Sequence, residues 1–175
     1  PSISQSWAIE CTNNSSCNLD NIIMNSQKGA NLENNSEMLI LNSFISNSDY
    51  GIVLYDNCVI NIQNSIIDSH ISEGIAAWNS LVTIENSQIT NNTTPDYNAG
   101  ITISSSNLNI LNSEITGNNG ANAGGLLLID SDAVIESCIF DSNITGYPSY
   151  TFYFGYKGGA ITSINSNFTI ENTLI

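Results

Sequence analysis

Apolar and polar residues alternate in short runs along nearly the whole chain, and the runs themselves recur. Residues 81–92 read LVTIENSQITNN, 107–118 read NLNILNSEITGN and 59–70 read VINIQNSIIDSH. A period of two puts successive side chains on opposite faces of a strand, and no segment carries the 3.6-residue period of a helix. With Ile84 as anchor, the equivalent positions are Leu19, Ile40, Ile62, Ile110, Ile135 and Ile170, all aliphatic. Two residues earlier stand Cys17, Met38, Ile60, Val82, Leu108, Ala133 and Phe168; five residues later stand Met24, Ile45, Ile67, Ile89, Ile115, Phe140 and Ile175. Two residues after the anchor come Asn21, Asn42, Asn64, Asn86, Asn112, Ser137 and Asn172, followed by Ser or Thr in five of the seven repeats.

A second block precedes this one and opens on glycine: GIVLY at 51–55, GIAAW at 74–78, GITIS at 100–104, GLLLI at 125–129 and GAITS at 159–163. Gly51, Gly74, Gly100, Gly125 and Gly159 are 23, 26, 25 and 34 residues apart, and the length variation falls before the glycine, at one corner. One such unit cannot bury its inner face. Stacking units at about 4.8 Å, the spacing of paired strands, buries a continuous column. The pattern predicts an all-β parallel β-helix over residues 1–175. It should have about seven coils of 22–26 residues, one longer insertion at 146–159, and a length of roughly 30 Å. Its hand is expected to be right, as for parallel crossovers in general. A leucine-rich repeat has a similar period but places its Asn three residues after the last apolar anchor, and it needs a helical back side. The repeated Asn is read as a corner residue that tolerates unusual backbone angles, with its amide bonded from coil to coil.

The pattern resembles the right-handed parallel β-helix, or pectin-lyase-like, superfamily. GGLLLIDSDAVIESCIFDSN at 124–143 with GGAI at 158–161 is also similar to the repeats of chlamydial polymorphic outer-membrane proteins. Those repeats pair GGA(I/L) with FxxN, here FDSN at 140–143 and FISN at 44–47. The narrower resemblance implies a surface adhesin. The wider superfamily holds lyases, glycosidases, tailspikes and non-enzymatic surface proteins, so the fold alone does not choose a chemistry.

Composition narrows the choice. The net charge is -14, with two lysines, Lys28 and Lys157, and no arginine. Nucleic-acid binding is excluded as a default, because it needs clustered cations. Pectate-lyase-like members use an arginine base beside Ca²⁺, and the polygalacturonase-like NTD, DD and GHG strings are missing here. No apolar run reaches 18 residues, so no membrane insertion is expected. The single histidine, His70, falls where Asn92 and Asn118 sit in other coils and is read as a solvated turn residue. Asp20, Glu85, Glu136 and Glu171 share one outward column; Glu136 and Glu171 fall on neighbouring coils, near the separation a glycosidase pair requires. The simpler reading is a solvated acidic edge, and no catalytic residue is assigned. Asp130 and Asp132 are a weak candidate for Ca²⁺; otherwise no cofactor or metal is expected.

Cys11 and Cys17 both point inward at one corner of the first coil, as a disulfide in an oxidising compartment or as two reduced core thiols. Cys58 and Cys138 fall in different columns, too far apart to bridge. Seven N-x-[ST] sequons begin at Asn13, Asn14, Asn34, Asn91, Asn92, Asn143 and Asn167, a number that so much Asn, Ser and Thr yields by composition alone. The clearest departure from scaffold is the insertion GYPSYTFYFGYKGG, with Tyr147, Tyr150, Phe152, Tyr153, Phe154 and Tyr156 within ten residues. These rings suit ligand or partner contact, or a local cover over the coil. Tyr55 and Trp78 should stack on neighbouring coils and join a binding surface. The expectation is a non-enzymatic, extracellular structural or adhesive protein, a segment of a longer rod or fibre. Its partners would be neighbouring coils, copies of itself or surface glycans. The alternatives are a carbohydrate-active β-helix enzyme and a carbohydrate-binding module.

Overall fold

Three short strands make each turn of the chain, because each unit holds three runs too short for anything longer and a corner residue after each run. The computed structural model describes residues 6–146 and 158–175. One turn runs Ile75–Trp78, Leu81–Glu85 and Gln88–Thr90. Each of these strands pairs in parallel with its counterparts in the turns before and after. The result is a β-solenoid with three faces: two seven-stranded sheets and one six-stranded sheet, with no helix among the described residues. We call them sheet A (Ile9–Thr12 to Ile161–Ile164), sheet B (Ser16–Asp20 to Asn167–Glu171) and sheet C (Ile23–Asn25 to Ile139–Asp141).

Register follows the apolar columns. Ile40, Ile62, Ile84 and Ile110 are direct partners along sheet B, and Ile45, Ile67, Ile89 and Ile115 along sheet C. All eight are buried in one core that runs the length of the solenoid. Burying each such side chain is worth roughly 1.5–3 kcal/mol, so a slip by one residue, which would turn the column outward, is strongly disfavoured.

Most corners share one device: a left-handed residue, doubled at Asn13–Asn14, Asn34–Asn35 and Asp56–Asn57, then a residue that bonds across to a neighbouring turn. At the corner between sheets B and C the left-handed residues are the predicted Asn21, Asn42, Asn64, Asn86, Asn112, Ser137 and Asn172, with φ between 48° and 55°. Asn79, Ser105, Asp130 and Asn165 do the same between sheets A and B; Asn47, Ser69, Asn91, Gly117 and Ser142 do so after sheet C. Asn is tolerated there because its short polar side chain relieves part of the left-handed penalty.

The coil-to-coil ladder predicted for the corner Asn lies largely one residue further on. Asn42 Nδ2 does reach Asp20 Oδ1 (3.0 Å) and Asn64 Nδ2 reaches Asn42 Oδ1 (3.5 Å). The continuous ladder is made by serine. Ser43 N–H donates to Ser65 Oγ, Ser65 N–H to Ser87 Oγ and Ser87 N–H to Ser113 Oγ, each 3.1 Å. A second ladder links Ser36, Cys58, Ser80, Ser106, Ser131 and Ser166 between sheets A and B. A left-handed Asn side chain points to solvent, whereas the next residue points back between the turns.

The glycines before sheet A answer to close approach. A Cβ on Gly100 would overlap the carbonyl oxygen of Gly125, one turn along. One predicted alignment is corrected by a residue. Leu126 pairs with Ile161, so Gly125 stands opposite Ala160, and Gly159 lies level with Gly124. The doubled glycines at 124–125 and 158–159 made both registers readable. The insertions do gather between sheets C and A, where the short pair Asn119–Gly120 and Ile144–Thr145 also forms. The outward residues of sheet A are nonetheless buried, among them Asn31, Val53, Ala76, Thr102 and Leu127.

Candidate binding face

The end of sheet A carries one outward column: Thr12, Glu33, Tyr55, Trp78, Ser104, Ile129 and Ile164. Tyr55 and Trp78 occupy consecutive turns, and their rings stack as predicted, with centroids 4.9 Å apart and planes at 10°. The strand spacing sets that distance. Tyr55 is 38 % exposed, so the stack meets solvent along one edge. Burial raises the pKa of the Tyr55 phenol, and Tyr50, Glu73 and Glu33 nearby raise it further.

A second ridge stands at the other end of sheet A, on the residue before each glycine. Backbone bonds stack Lys28, Tyr50, Glu73 and Ala99 in that order. Trp7 packs against Tyr50 with centroids 6.2 Å apart, and Lys28 Nζ lies 5.1 Å from the centre of the Trp7 ring, a cation–π contact. Glu73 is buried, its carboxylate accepting from Ser72 Oγ. Burial raises its pKa, and the Ser72 bond offsets part of the rise. Asn31 lies on the sheet's outer surface; its Nδ2 donates to Glu33 Oε1 (2.9 Å), and its buried Oδ1 has no hydrogen-bond partner.

His70 is not a solvated turn residue. It is 1 % exposed and belongs to a third internal ladder. Ser48 N–H donates to His70 Nδ1 (3.2 Å), His70 N–H to Asn92 Oδ1 (3.0 Å), Asn92 N–H to Asn118 Oδ1 (3.0 Å) and Asn118 N–H to Asn143 Oδ1 (3.1 Å). The column assignment stands, but the column faces inward. Burial pushes the His70 pKa down to about 4, against smaller opposing effects that include the charge of Asp68. The Ser48 amide needs an unprotonated Nδ1, so the ring is held neutral with its proton on Nε2. Asp68 itself is pulled below the usual carboxylate range: burial acts upward, but donors from Asn91, Thr90 and Ser69 outweigh it.

The same ladder removes acceptors from the sequon set. Asn92 is fully buried, with its amide spent on Asn118, and Asn143 is held by Ile115 and Asn118. Asn13, Asn14, Asn34, Asn91 and Asn167 are exposed. Cys11 and Cys17 form a disulfide with Cα atoms 6.2 Å apart. Cys58 and Cys138 are buried free thiols. Each takes a serine's place in a ladder: Ser36 N–H donates to Cys58 Sγ (3.4 Å), while Cys138 N–H donates to Thr173 Oγ1 (3.1 Å). Burial raises both thiol pKa values, which keeps them protonated and unreactive.

Glu136 and Glu171 are direct partners on adjacent strands, both exposed, with Glu85 and Asp20 further along the same column. Asp130 and Asp132 line an open groove with Ser105, Ser106 and Asn107; Asp132 Oδ1 accepts from Asn167 Nδ2 (3.1 Å). Among the described residues no three His, Cys, Asp or Glu side chains gather as a metal site, and no helix is long and apolar enough to cross a membrane. Tyr147, Tyr150, Phe152, Tyr153, Phe154 and Tyr156, with Lys157, lie outside the described residues. Sequence reasoning missed the Trp7, Lys28, Tyr50 and Glu73 ridge, because its members share neither polarity nor size; for Lys28, Tyr50 and Glu73 position before the glycine was the available signal. Compared with known protein families, curated proteins and solved structures, the chain matches none.

Proposed function

We propose that this chain is a non-enzymatic, extracellular β-helix of the right-handed pectin-lyase-like kind, with an adhesive role, and that the Tyr55–Trp78 stack is its glycan contact. The observation that carries the reading is the stack itself. The paired isoleucine columns fill the core and the corner serines make the ladders, whereas this aromatic pair lies on the outside, parallel at 4.9 Å and in contact with solvent. Flat aromatic surfaces beside hydroxyl- and amide-bearing corners suit sugar rings, which offer C–H faces to the aromatic and hydroxyls to the rim. The Cys11–Cys17 disulfide supports an oxidising compartment, and the acidic surface argues for neutral rather than anionic glycans. Exposed sequons make the chain a candidate glycoprotein in a eukaryotic secretory route. Joined to further coils or to copies of itself, the solenoid would serve as a rod presenting this face.

The test is a glycan array probed with the chain and with a Tyr55→Ala, Trp78→Ala double variant. Retention of neutral glycans by the parent and their loss in the variant supports adhesion. Equal signals from both proteins would sink it. A second reading, a glycan depolymerase, draws on the Glu136–Glu171 pairing across one strand spacing. It requires that the parent shorten a glycan and that Glu136→Gln abolish the cleavage.

A further inference from the structure

The aromatic column ends abruptly. Glu33, Tyr55 and Trp78 fill three consecutive turns with large side chains; the fourth turn has Ser104 and the fifth Ile129. One face of the Trp78 indole is covered by Tyr55. The other looks along the solenoid toward a rung whose own side chain is a single hydroxymethyl group, with Ile129 beyond it. The rung at Ser104 lies one strand spacing beyond Trp78, the same spacing at which Tyr55 and Trp78 stack. A six-membered ring laid on the indole would therefore fit where an aromatic ring would otherwise continue the stack.

The corner that follows the rung borders a groove. Asn79 and Ser105 follow Trp78 and Ser104 directly in the chain, and both are exposed with left-handed backbones. They line a shallow groove with Asn57, Leu81 and Asn107 along the corner between sheets A and B. Its neighbour, towards later turns, is lined by Asp130 and Asp132. Polar corner side chains thus repeat at one strand spacing beside the rung, and the charge along them is negative.

We infer that the rung at Ser104, between Trp78 and Ile129, is a sugar-ring subsite, and that it takes one residue of a linear neutral polysaccharide whose chain continues along the Asn79–Ser105 corner. This deepens the adhesive reading above and rests on it. The ring's apolar face lies on the indole, and its hydroxyls meet Asn79 and Ser105. Uronate or sulfated chains are refused, because their charges would meet Asp130 and Asp132 in a protein of net charge -14.

The decisive variant fills the rung. Ser104→Tyr adds a third aromatic to an outward column and leaves the Ser104 carbonyl free to keep its bonds from Asn79 N–H and Ser106 Oγ. Titration calorimetry with cellohexaose and chitohexaose, with hexagalacturonate as the charged comparison, should show the parent binding a neutral probe and refusing the charged one. Ser104→Tyr and Trp78→Ala should each weaken that binding by about tenfold or more, with thermal melts showing both variants folded. If Trp78→Ala weakens binding and folded Ser104→Tyr does not, the rung is not the subsite and the adhesive reading survives alone. If the parent binds neither neutral probe, the adhesive reading and the subsite both fall. Should Ser104→Tyr fail to fold, amide shifts of the parent titrated with the neutral probe decide. Changes centred on Ser104 and Ile129 sustain the subsite, and changes confined to other turns overturn it.

Discussion

Acid should weaken this solenoid in part through His70, and replacing that residue should remove that part of the effect. His70 is buried, with Nδ1 taken by the Ser48 amide, and its pKa falls from the ordinary value near 6.5 to about 4. The unfolded chain binds a proton at His70 as the pH drops through 6.5, while the folded chain does not until about 4. The unfolded state therefore holds more protons between those values, and stability falls as pH falls across the window. Above 6.5 the residue contributes no pH dependence, and below about 4 its loss levels off. At 1.36 kcal/mol for each pH step the total is about 3 kcal/mol, a large share of a domain's net stability. Asn is the natural replacement, since Asn92, Asn118 and Asn143 occupy the same column and Asn118 Nδ2 already reaches the Ile89 carbonyl at 2.9 Å. The assay is urea unfolding of parent and His70→Asn at pH 7.5, 6, 5 and 4. The buried Glu73 has a raised pKa, so its contribution runs the opposite way, gaining stability as pH falls; it is common to both proteins and cancels in their difference. The difference should open by about 3 kcal/mol in favour of His70→Asn between pH 7.5 and 4. Parallel curves would refute a neutral, buried His70.

Other consequences follow from the corners. Ser87→Ala should cost about 1–3 kcal/mol in a denaturant melt, because Ser65 N–H loses its acceptor inside the protein, while Ser87→Cys should cost clearly less, as Cys58 and Cys138 already serve in such ladders. Asn86→Ala forces a Cβ-bearing residue without a compensating amide into φ 48° and should cost about 1–2 kcal/mol, with Asn86→Gly nearer neutral by the same melt. Reducing the Cys11–Cys17 bond should cost about 2 kcal/mol for so short a loop, and hydrogen exchange should localise the loosening to the first turn. Expressed in a glycosylating host, the chain should carry no glycan at Asn92 by peptide mapping, whatever happens at Asn34 or Asn167, because the Asn92 amide is buried.

Much of the architecture was legible because a parallel stack forces the same burial on every turn. Ile40, Ile62, Ile84 and Ile110 had to be alike, so their column could be read from letters alone. The corner Asn was legible for a similar reason: few residues accept a left-handed backbone, so Asn recurs at 42, 64, 86 and 112. The corner between sheets A and B obeys the same constraint with mixed letters, Asn79, Ser105 and Asp130, which hid it. His70 misled because a polar letter at a corner reads as solvated; only the turning of the chain shows that it points between coils, where its Nδ1 accepts from the Ser48 amide. The Tyr55–Trp78 stack was foreseen from column position. The small Ser104 next in that column was not, since serine is unremarkable until its neighbours in the stack are known. The ridge of Trp7, Lys28, Tyr50 and Glu73 joins four unlike residues, and only the fold brings them together.

The most direct test of the account is a crystal structure of the chain grown with a neutral hexasaccharide. The account predicts a sugar ring on the free face of the Trp78 indole, level with Ser104, and the next rings along Asn79 and Ser105. A hexasaccharide bound on another face, with the Trp78 rung empty, would contradict it.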